Sequence, residues 1–343
     1  MRPLRSKMLE EALEAPAVVE RQLGADADVY RAIGADLRAR PPQSMLTVAR
    51  GSSDHAAHFL AYLVMARLGR LVTSLPMSLM TLYATRLQCE GLVAMALSQS
   101  GRSPDLLAPI EFAAAHGART IAWVNEIASP LGRAAQWALD LRAGHERSVA
   151  ATKSYIAQLT AGARLVAAWQ DDATLGSALM GLPEALARAA RLDWSALVDT
   201  LQGVQRMLVI GRGLGLAIAM EAALKLKETC GIHAEAFSGA EVRHGPMALI
   251  EPGYPVLVFA PRGPAQAGLL ALAGDLRDRG AQVLLAAPAG TSGSSLAVQP
   301  APDEDLEPIT TIQSFYPAVE ALARARGADP DRPPHLAKVT TTR

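Results

Sequence analysis

The sequence of 343 residues is short of cysteine, of aromatic residues and of any excess charge. Cys89 and Cys230 are its two cysteines and form no CxxC pair, which argues against a disulfide framework and a thiolate metal cluster. Lysine plus arginine and aspartate plus glutamate both number 33, so no net field attracts nucleic acid or an anionic membrane. A charge-free apolar run long enough to span a bilayer is absent, as is a signal-peptide core, so we expect a cytoplasmic protein.

What is present is a repeated pattern of strands and helices. Half of the residues are apolar and only 4% are aromatic, which favours a helix-rich α/β protein. Residues 44–69 predict a strand, a glycine turn and a long helix, and residues 206–228 repeat that order. Gly101 and Gly263 occupy matching places 162 positions apart, a spacing typical of a duplicated domain. Since strands alternate with helices, we predict two doubly wound parallel sheets flanked by helices.

The stretch "ALSQSGRSPD" (96–105) places a polar cluster directly after a buried strand predicted over 92–97. Ligands of open α/β sheets bind beyond the carboxyl ends of the strands, where helix N-termini also offer unpaired N–H groups. These donors and the nearby side chains suit a phosphate; the side chains are Ser98, Gln99, Ser100 and Ser103. Helix capping by Ser103 ahead of Pro104 is the alternative, but it explains one serine only.

A second polar loop, "ARGSSDHAA" (49–57), supplies Ser52 and Ser53 after its own strand. A glycine turn followed by a helix cap explains this loop equally well. The matching loop of the second half, "APRGPAQAG", lacks hydroxyl groups, so we expect one anion site. The segment "RGLGLA" resembles a dinucleotide fingerprint, but its next strand ends in Pro261 instead of an acidic residue, which excludes a nicotinamide cofactor.

Ionisable residues crowd the stretch "EAALKLKETCGIHAEAFSGAEVRHGP" (221–246). Lys225 and Glu228 are three positions apart and share a helix face. A carboxylate held near a lysine and a histidine can act as a general acid or base, whereas an exposed helical ion pair is the alternative. A metal site is a further alternative, and its ligands would be His233, Glu235, Glu241 and His244. Their spacing matches no standard zinc pattern, so we expect no metal.

Seven motifs together resemble a known family. They are "KMLEEALEAPAVVERQL", "ARGSSDHAA", "ALSQSGRSPD", "SVAATKSY", "ALKLKETCGIHAEAF", "EVRHGPMALI" and "DPDRPPHLAKVTTT". In this order they resemble the isomerase part of glutamine–fructose-6-phosphate aminotransferase (glucosamine-6-phosphate synthase), which is built from two sugar isomerase (SIS) domains. The resemblance implies five segments: an N-terminal helical segment (1–35), a first SIS domain that binds the sugar phosphate (36–175), a helical linker (176–200), a second SIS domain with the catalytic groups (201–325) and a C-terminal tail (326–343).

The resemblance also implies roles for individual residues. Glu228 moves the proton with Lys225 beside it, and His244 assists ring opening from the neighbouring subunit of a homodimer. Lys338 forms the Schiff base, although a terminal lysine would otherwise be taken as solvated. The substrate-binding positions are Ser52, Ser53, Ser98, Gln99, Ser100, Ser103, Val149 and Ala337. No cofactor and no metal are implied.

The sequence enters the sugar-binding part directly after Met1 and Arg2, without the family's N-terminal glutaminase domain. We therefore expect a stand-alone deaminase that converts glucosamine 6-phosphate and water to fructose 6-phosphate and ammonia. A fructosamine-6-phosphate deglycase, another sugar-phosphate isomerase and a sugar-phosphate-sensing module are the alternatives. The sequence departs from the family at three positions that could reshape the pocket, namely Arg50, Arg102 and Ala151.

Overall fold

Two five-stranded parallel sheets organise the chain, as the predicted fold class required. The computed structural model of the protein describes residues 5–338. The chain divides into two units. The first sheet unit contains Ala17–Glu146, Lys153–Met180 and residues 337–338, and the second sheet unit contains residues 5–16, Arg147–Thr152 and Gly181–Leu336. The domain boundaries drawn from the sequence stay a prediction.

The first sheet has the strand order β2-β1-β3-β4-β5, with all neighbours parallel. Its strands are β1 (Met45–Val48), β2 (Val72–Ser74), β3 (Val93–Ser98), β4 (Arg119–Val124) and β5 (Trp137–Asp140). The helices up to residue 180 are α1 (Lys7–Leu23), α2 (Ala27–Ala39), α3 (Ser52–Leu68), α4 (Ser78–Thr81), α5 (Pro104–Ala115), α6 (Pro130–Ala134), α7 (Lys153–Gln170) and α8 (Ala173–Met180).

The second sheet has the order β10-β9-β8-β6-β7, which is the same topology shifted by five strands. Its strands are β6 (Arg206–Gly211), β7 (His233–Ser238), β8 (Pro255–Phe259), β9 (Gln282–Pro288) and β10 (Leu296–Val298). The accompanying helices are α9 (Leu182–Ala189), α10 (Ser195–Leu201), α11 (Leu214–Cys230), α12 (Gln266–Asp278) and α13 (Glu307–Ala325), with 3₁₀ turns at Glu241–His244, Pro246–Leu249 and Glu304–Leu306. Between residues 5 and 338, no helix has both the length and the apolar content needed to cross a bilayer.

The duplication extends to the backbone of the glycine turns. Gly51 precedes α3 with φ 54° and ψ −133°, and Gly213 precedes α11 with φ 61° and ψ −134°. A side chain opposes this conformation, so both positions require glycine. Each turn aims a helix N-terminus at the carboxyl edge of its sheet, where the sequence predicted ligand binding.

Two strands were not predicted from the sequence. Residues 233–238 form the edge strand β7, and residues 296–298 form the short strand β10. In β7 the side chains of His233 and Glu235 are exposed while Ala234 is buried. Charged residues on the exposed face of this edge strand interrupt the apolar run, so the sequence did not predict a strand there.

Candidate active site

The two serine loops lie side by side at the carboxyl edge of the first sheet. Strands β1 and β3 are parallel neighbours, with Val48 opposite Ala96. Gly51, which comes shortly after β1, and Ser98, the last residue of β3, therefore lie at the same edge of the sheet. Helices α3 and α5 begin in these loops, so the positive ends of two helix dipoles meet there.

The hydroxyl groups of β3's loop are already oriented by backbone donors. The Gly101 N–H donates to Ser98 Oγ at 3.0 Å, and the Arg102 N–H donates to Ser100 Oγ at 3.3 Å. A serine hydroxyl that accepts one bond still carries a hydrogen that it can donate. The two serines therefore stabilise the loop, and each hydroxyl keeps a hydrogen that it can donate to an anion.

Ser103 occupies the N-cap position of α5, with Pro104 at the first helical residue, as the capping alternative predicted. Its side chain nevertheless makes no capping hydrogen bond. Ser53 lies in the first turn of α3, where its Oγ accepts from Gln158 Nε2 at 2.9 Å. Ser52 and Gln99 are half-buried at the same edge. The structure therefore brings together the six predicted phosphate-binding residues of the first sheet unit.

Position 101 in this loop accepts glycine only. Its φ is +62°, and a Cβ built there would lie 2.1 Å from Ser129 Oγ. Ser129 is itself held as the N-cap of α6 by accepting from the Gly132 N–H. The close approach packs the polar loop against α6 and limits its conformational freedom.

Lys225 of α11 is buried between two carboxylates in the second sheet unit. Its Nζ lies 2.6 Å from Glu228 Oε2 and 3.3 Å from Glu221 Oε1, and Tyr316 Oη donates to Glu221 Oε1 at 3.4 Å. Lys225 is 1% exposed and Glu221 is fully buried, whereas the Glu228 side chain is 19% exposed. Only Glu228 in this set combines a buried cation beside it with access to solvent, which is what a proton-transferring carboxylate requires.

The two neighbouring carboxylates determine the charge of Lys225. Burial by itself lowers the pKa of Lys225, but the nearby Glu221 and Glu228 carboxylates outweigh it, and the pKa is raised above its ordinary value. Lys225 is consequently a cation at neutral pH, and its Nζ donates to Glu228 Oε2 at 2.6 Å. The exposed ion pair considered from the sequence is wrong for this residue. Glu221, four positions earlier on the same helix face, was missed although its spacing offered a signal.

His244 lies at the end of the 3₁₀ turn Glu241–His244 and is exposed. It is followed by Gly245, whose φ of 151° is a backbone conformation that favours glycine. The described part of the chain shows no hydrogen bond from the His244 side chain to Glu228. The structure thus presents His244 to the surface of its own unit.

Lys338 contacts a carboxylate in the first sheet unit. Its Nζ lies 3.0 Å from Glu146 Oε2, and the fully buried Glu146 also accepts from Ser154 N at 3.2 Å and Ser154 Oγ at 2.7 Å. The Lys338 side chain is 25% exposed, so it is not the solvated terminal lysine of the sequence alternative. Within the first sheet unit, Lys338 is thus paired with a buried carboxylate.

For the remaining predicted positions, the structure gives only their location and exposure. Val149 and Ala151 are half-buried in the segment Arg147–Thr152 of the second sheet unit, and Ala337 is exposed beside Lys338. Residues 5–338 contain no group of three or more histidine, cysteine, aspartate or glutamate side chains arranged to hold a metal ion. The four alternative ligands, His233 to His244, are therefore not assembled into a metal centre.

Comparison with known proteins identifies the architecture. The model described as "SIS domain" matches residues 40–168 and 200–323. A glutamine–fructose-6-phosphate aminotransferase [isomerizing] of Thermococcus kodakarensis is 32% identical, over 97% of this chain and 58% of that protein. The chain spans about half the length of the curated relatives it matches.

Two solved structures show the same fold. One, from Silicibacter pomeroyi, belongs to a protein proposed to be a phosphosugar isomerase; it is 41% identical with a TM-score of 0.90, over 95% of this chain and all of that one. The other, a glucosamine-6-phosphate deaminase of Thermotoga maritima, is 22% identical with a TM-score of 0.78, over 98% of this chain and 100% of that one. The second likeness concerns the fold alone. Two matched regions, two parallel sheets of one topology and the 41% identical relative agree, and the chain belongs to the SIS domain family.

Proposed function

We propose that the protein is an aminosugar-phosphate deaminase, which converts glucosamine 6-phosphate and water to fructose 6-phosphate and ammonia. The observation that carries the proposal is the buried Lys225 between Glu221 and Glu228, with Glu228 reaching solvent. A binding module needs no solvent-accessible carboxylate beside a buried cation, whereas proton transfer between C1 and C2 of a sugar requires a carboxylate or a similar base in reach of the substrate. Relatives named for aminotransferase and isomerase activity on fructose 6-phosphate and phosphosugars support this choice of substrate class.

The phosphate is held by the loops of the first sheet unit in this proposal. Ser98, Ser100 and Ser52 donate hydroxyl hydrogens, and the N-termini of α3 and α5 add backbone donors and a favourable dipole. Both loops end neighbouring parallel strands, so one dianion can accept from both. This arrangement orients the sugar by its phosphate end and leaves the C1–C2 end for chemistry.

The chemical steps use three side chains. His244 assists opening of the sugar ring, and Glu228 takes the proton from C2 and returns it to C1. Isomerisation of the open 2-amino aldose produces an imine at C2, and hydrolysis replaces the C=N bond by C=O and releases ammonia. In the route through Lys338, its amine adds to C2 and expels ammonia, and water then hydrolyses the lysine imine to the C2 ketone and the free lysine. Because ammonia is protonated at neutral pH, release of the amine is the favoured direction.

His244 is proposed to act across a homodimer. Its exposure at the end of a short turn, without a hydrogen bond to Glu228, supports donation to a partner's site. Two-fold symmetric dimers reuse one surface twice, so each chain would both give and receive a histidine.

The test measures ammonia release from glucosamine 6-phosphate, galactosamine 6-phosphate and fructosamine 6-phosphate by the 343-residue chain. Glu228→Gln should abolish release, whereas Glu184→Gln, on the exposed face of α9, should not. Release from fructosamine 6-phosphate alone would identify a deglycase, and release from galactosamine 6-phosphate alone would identify the other amino sugar. Binding of all three without turnover would overturn the enzyme assignment and leave a sensing module.

A further inference from the structure

Arg50 joins the two serine loops by an ion pair. It follows β1, and its Nε donates to Asp105 Oδ2 at 3.0 Å, across to the second residue of α5. The Asp105 side chain is 4% exposed, whereas the Arg50 side chain is 55% exposed. The pair therefore has a buried anion on one loop and an accessible cation on the other.

Asp105 poses an electrostatic difficulty for an anion site. Its carboxylate occupies the first turn of α5, the same turn whose N–H groups and dipole favour an anion. A bound phosphate would add two negative charges beside a buried one, and like charges at short range oppose each other strongly. An uncompensated Asp105 would thus weaken phosphate binding at the loop of Ser98 and Ser100.

The positive charge of Arg50 offsets the negative charge of Asp105 in α5, and it also acts on an acidic residue at the start of α3. It is hydrogen bonded to Asp105 at the start of α5 and acts on Asp54 in the first turn of α3. Burial raises the pKa of Asp54, while the charges of His55, His58 and Arg50 oppose that rise. One guanidinium is therefore ion-paired with the acidic group at the start of α5, and its charge also opposes the rise in the pKa of the acidic group at the start of α3.

We propose that Arg50 is an anion-recognition residue, which neutralises Asp105 and offers its remaining N–H donors to the phosphate of the sugar substrate. A guanidinium carries five N–H donors in a planar fork, and the ion pair through Nε leaves others on its accessible side. The inference deepens the proposed function, because it rests on the phosphate lying at the two serine loops. It assigns a role to a residue that the sequence marked only as a departure from its family.

The experiment measures binding of fructose 6-phosphate and of inorganic phosphate to the full chain by calorimetry, with unphosphorylated fructose as the comparison probe. Arg50→Ala should weaken binding of both phosphates about tenfold or more, since it removes the guanidinium that pairs with a buried carboxylate and donates to the anion. Adding Asp105→Asn to Arg50→Ala should recover at least about threefold of that loss, because the repelling charge is then gone. Arg50→Lys should retain part of the affinity, because it keeps the charge and loses the fork.

A matched control is Arg67→Ala at the other end of α3, where Arg67 pairs with Asp172 at 3.1 Å. It should bind phosphate as the parent does, and thermal denaturation should show each variant folded. Parent-like binding by Arg50→Ala, or no gain from Asp105→Asn, would overturn the role of Arg50. If Ser98→Ala with Ser100→Ala also binds like the parent, the phosphate site itself is elsewhere and the proposed function fails separately.

Discussion

Single residues at the edge where we propose phosphate binding also stabilise the local fold. Ser98 Oγ accepts from the Gly101 N–H, and Ser100 Oγ accepts from the Arg102 N–H, so both hydroxyls shape the loop that they would offer to a phosphate. Glu146 does the same for Lys338, because the carboxylate is buried and fixed by Ser154 while it holds the lysine. These groups are therefore oriented by hydrogen bonds before any ligand arrives, which is the arrangement that a binding or catalytic site requires.

Removing the two hydroxyls should separate binding from folding. We expect Ser98→Ala with Ser100→Ala to raise KM for the sugar phosphate at least about tenfold, since each charged hydrogen bond contributes roughly 1.5–3 kcal/mol. The melting temperature should fall slightly, because two loop N–H groups lose their acceptors. Steady-state kinetics and thermal denaturation provide both readouts, and Ser177→Ala on the exposed part of α8 is the control. An unchanged KM would place the phosphate elsewhere.

Lys338→Arg should keep the ion pair with Glu146 and lose the chemistry. A guanidinium retains the charge but cannot form an imine with a carbonyl carbon. We expect a loss of about 100-fold or more in kcat, the size typical of removing one catalytic group. Borohydride trapping with substrate should label the parent at Lys338, as mapped by mass spectrometry, and leave Lys338→Arg unlabelled. Full activity of this variant would remove Lys338 from the mechanism, and Lys227→Arg provides the comparison.

Lys225→Met tests the buried charge cluster. The substitution leaves Glu221 and Glu228 without the cation between them, and breaking a buried pair in this way costs about 3–5 kcal/mol. Urea denaturation should show the loss as a lower transition midpoint. Lys227→Met, two residues away and exposed on the same helix, should change the free energy of unfolding by less than about 0.5 kcal/mol. Equal stabilities of the two variants would contradict the burial argument.

At the scale of elements, strand order and helix starts decide where the polar groups meet. The buried strand β3, the glycine turn before α3 and the long helix α11 were all predictable from apolar runs and glycine positions. Strands β7 and β10 were not, because β7 exposes its charged residues and β10 has three residues. Edge strands pair on one side only, so local sequence constrains them weakly.

Helix α3 contains a histidine that should make stability depend on pH. His58 Nε2 is buried and has no hydrogen-bond partner in the part of the chain that is described, and burial lowers the pKa of His58, partly offset by Asp54. Because its folded pKa lies below the unfolded value of about 6.5, the unfolded state binds more protons as pH falls, and stability decreases below that pH.

Chemical denaturation between about pH 7.5 and about pH 5 measures this dependence for His58. His58→Phe should have a flatter profile than the parent, because its buried position no longer titrates. His233→Phe on the exposed edge of β7 should keep the parental slope. A parental slope in His58→Phe would show that other groups control the pH dependence.

At the scale of the whole molecule, the two halves of the duplicated fold carry different polar side chains at equivalent positions. The loop after β8 corresponds to the serine loop after β3, and there the Arg262 N–H donates to the buried Glu307 carboxylate at 2.8 Å. The Glu307 carboxylate thus accepts the hydrogen bond from a loop N–H group that could otherwise have bound an external anion. The first sheet unit keeps the hydroxyls, and the second keeps the buried lysine between two carboxylates.

Mixing two inactive chains tests the dimer. If His244 acts in the partner's site, Glu228→Gln and His244→Ala chains should regain about a quarter of parental activity after subunit exchange, since half of the dimers are hybrid with one complete site each. Activity assays after mixing, with exchange verified by mass spectrometry, provide the measurement. Mixing either chain with the double variant should restore nothing. Without recovery despite exchange, each chain would complete its own site.

The sequence by itself determined the fold class and the family, because apolar runs, glycine positions and the 162-residue repeat are local or periodic features. It also located the two serine loops, since a hydroxyl cluster after a buried strand is visible in one dimension. These features suffice wherever a residue's environment follows from its neighbours in the chain.

Only the tertiary structure decided which charges are buried and what they face. Glu146 and Lys338 are 192 positions apart, and Arg50 and Asp105 are 55 apart, yet each pair lies within 3.0 Å. The structure also showed that the Lys225 cluster is buried, which a helical spacing of three or four residues leaves open. Such contacts depend on the order of parallel strands and on the packing of helices against them, and no local pattern specifies either.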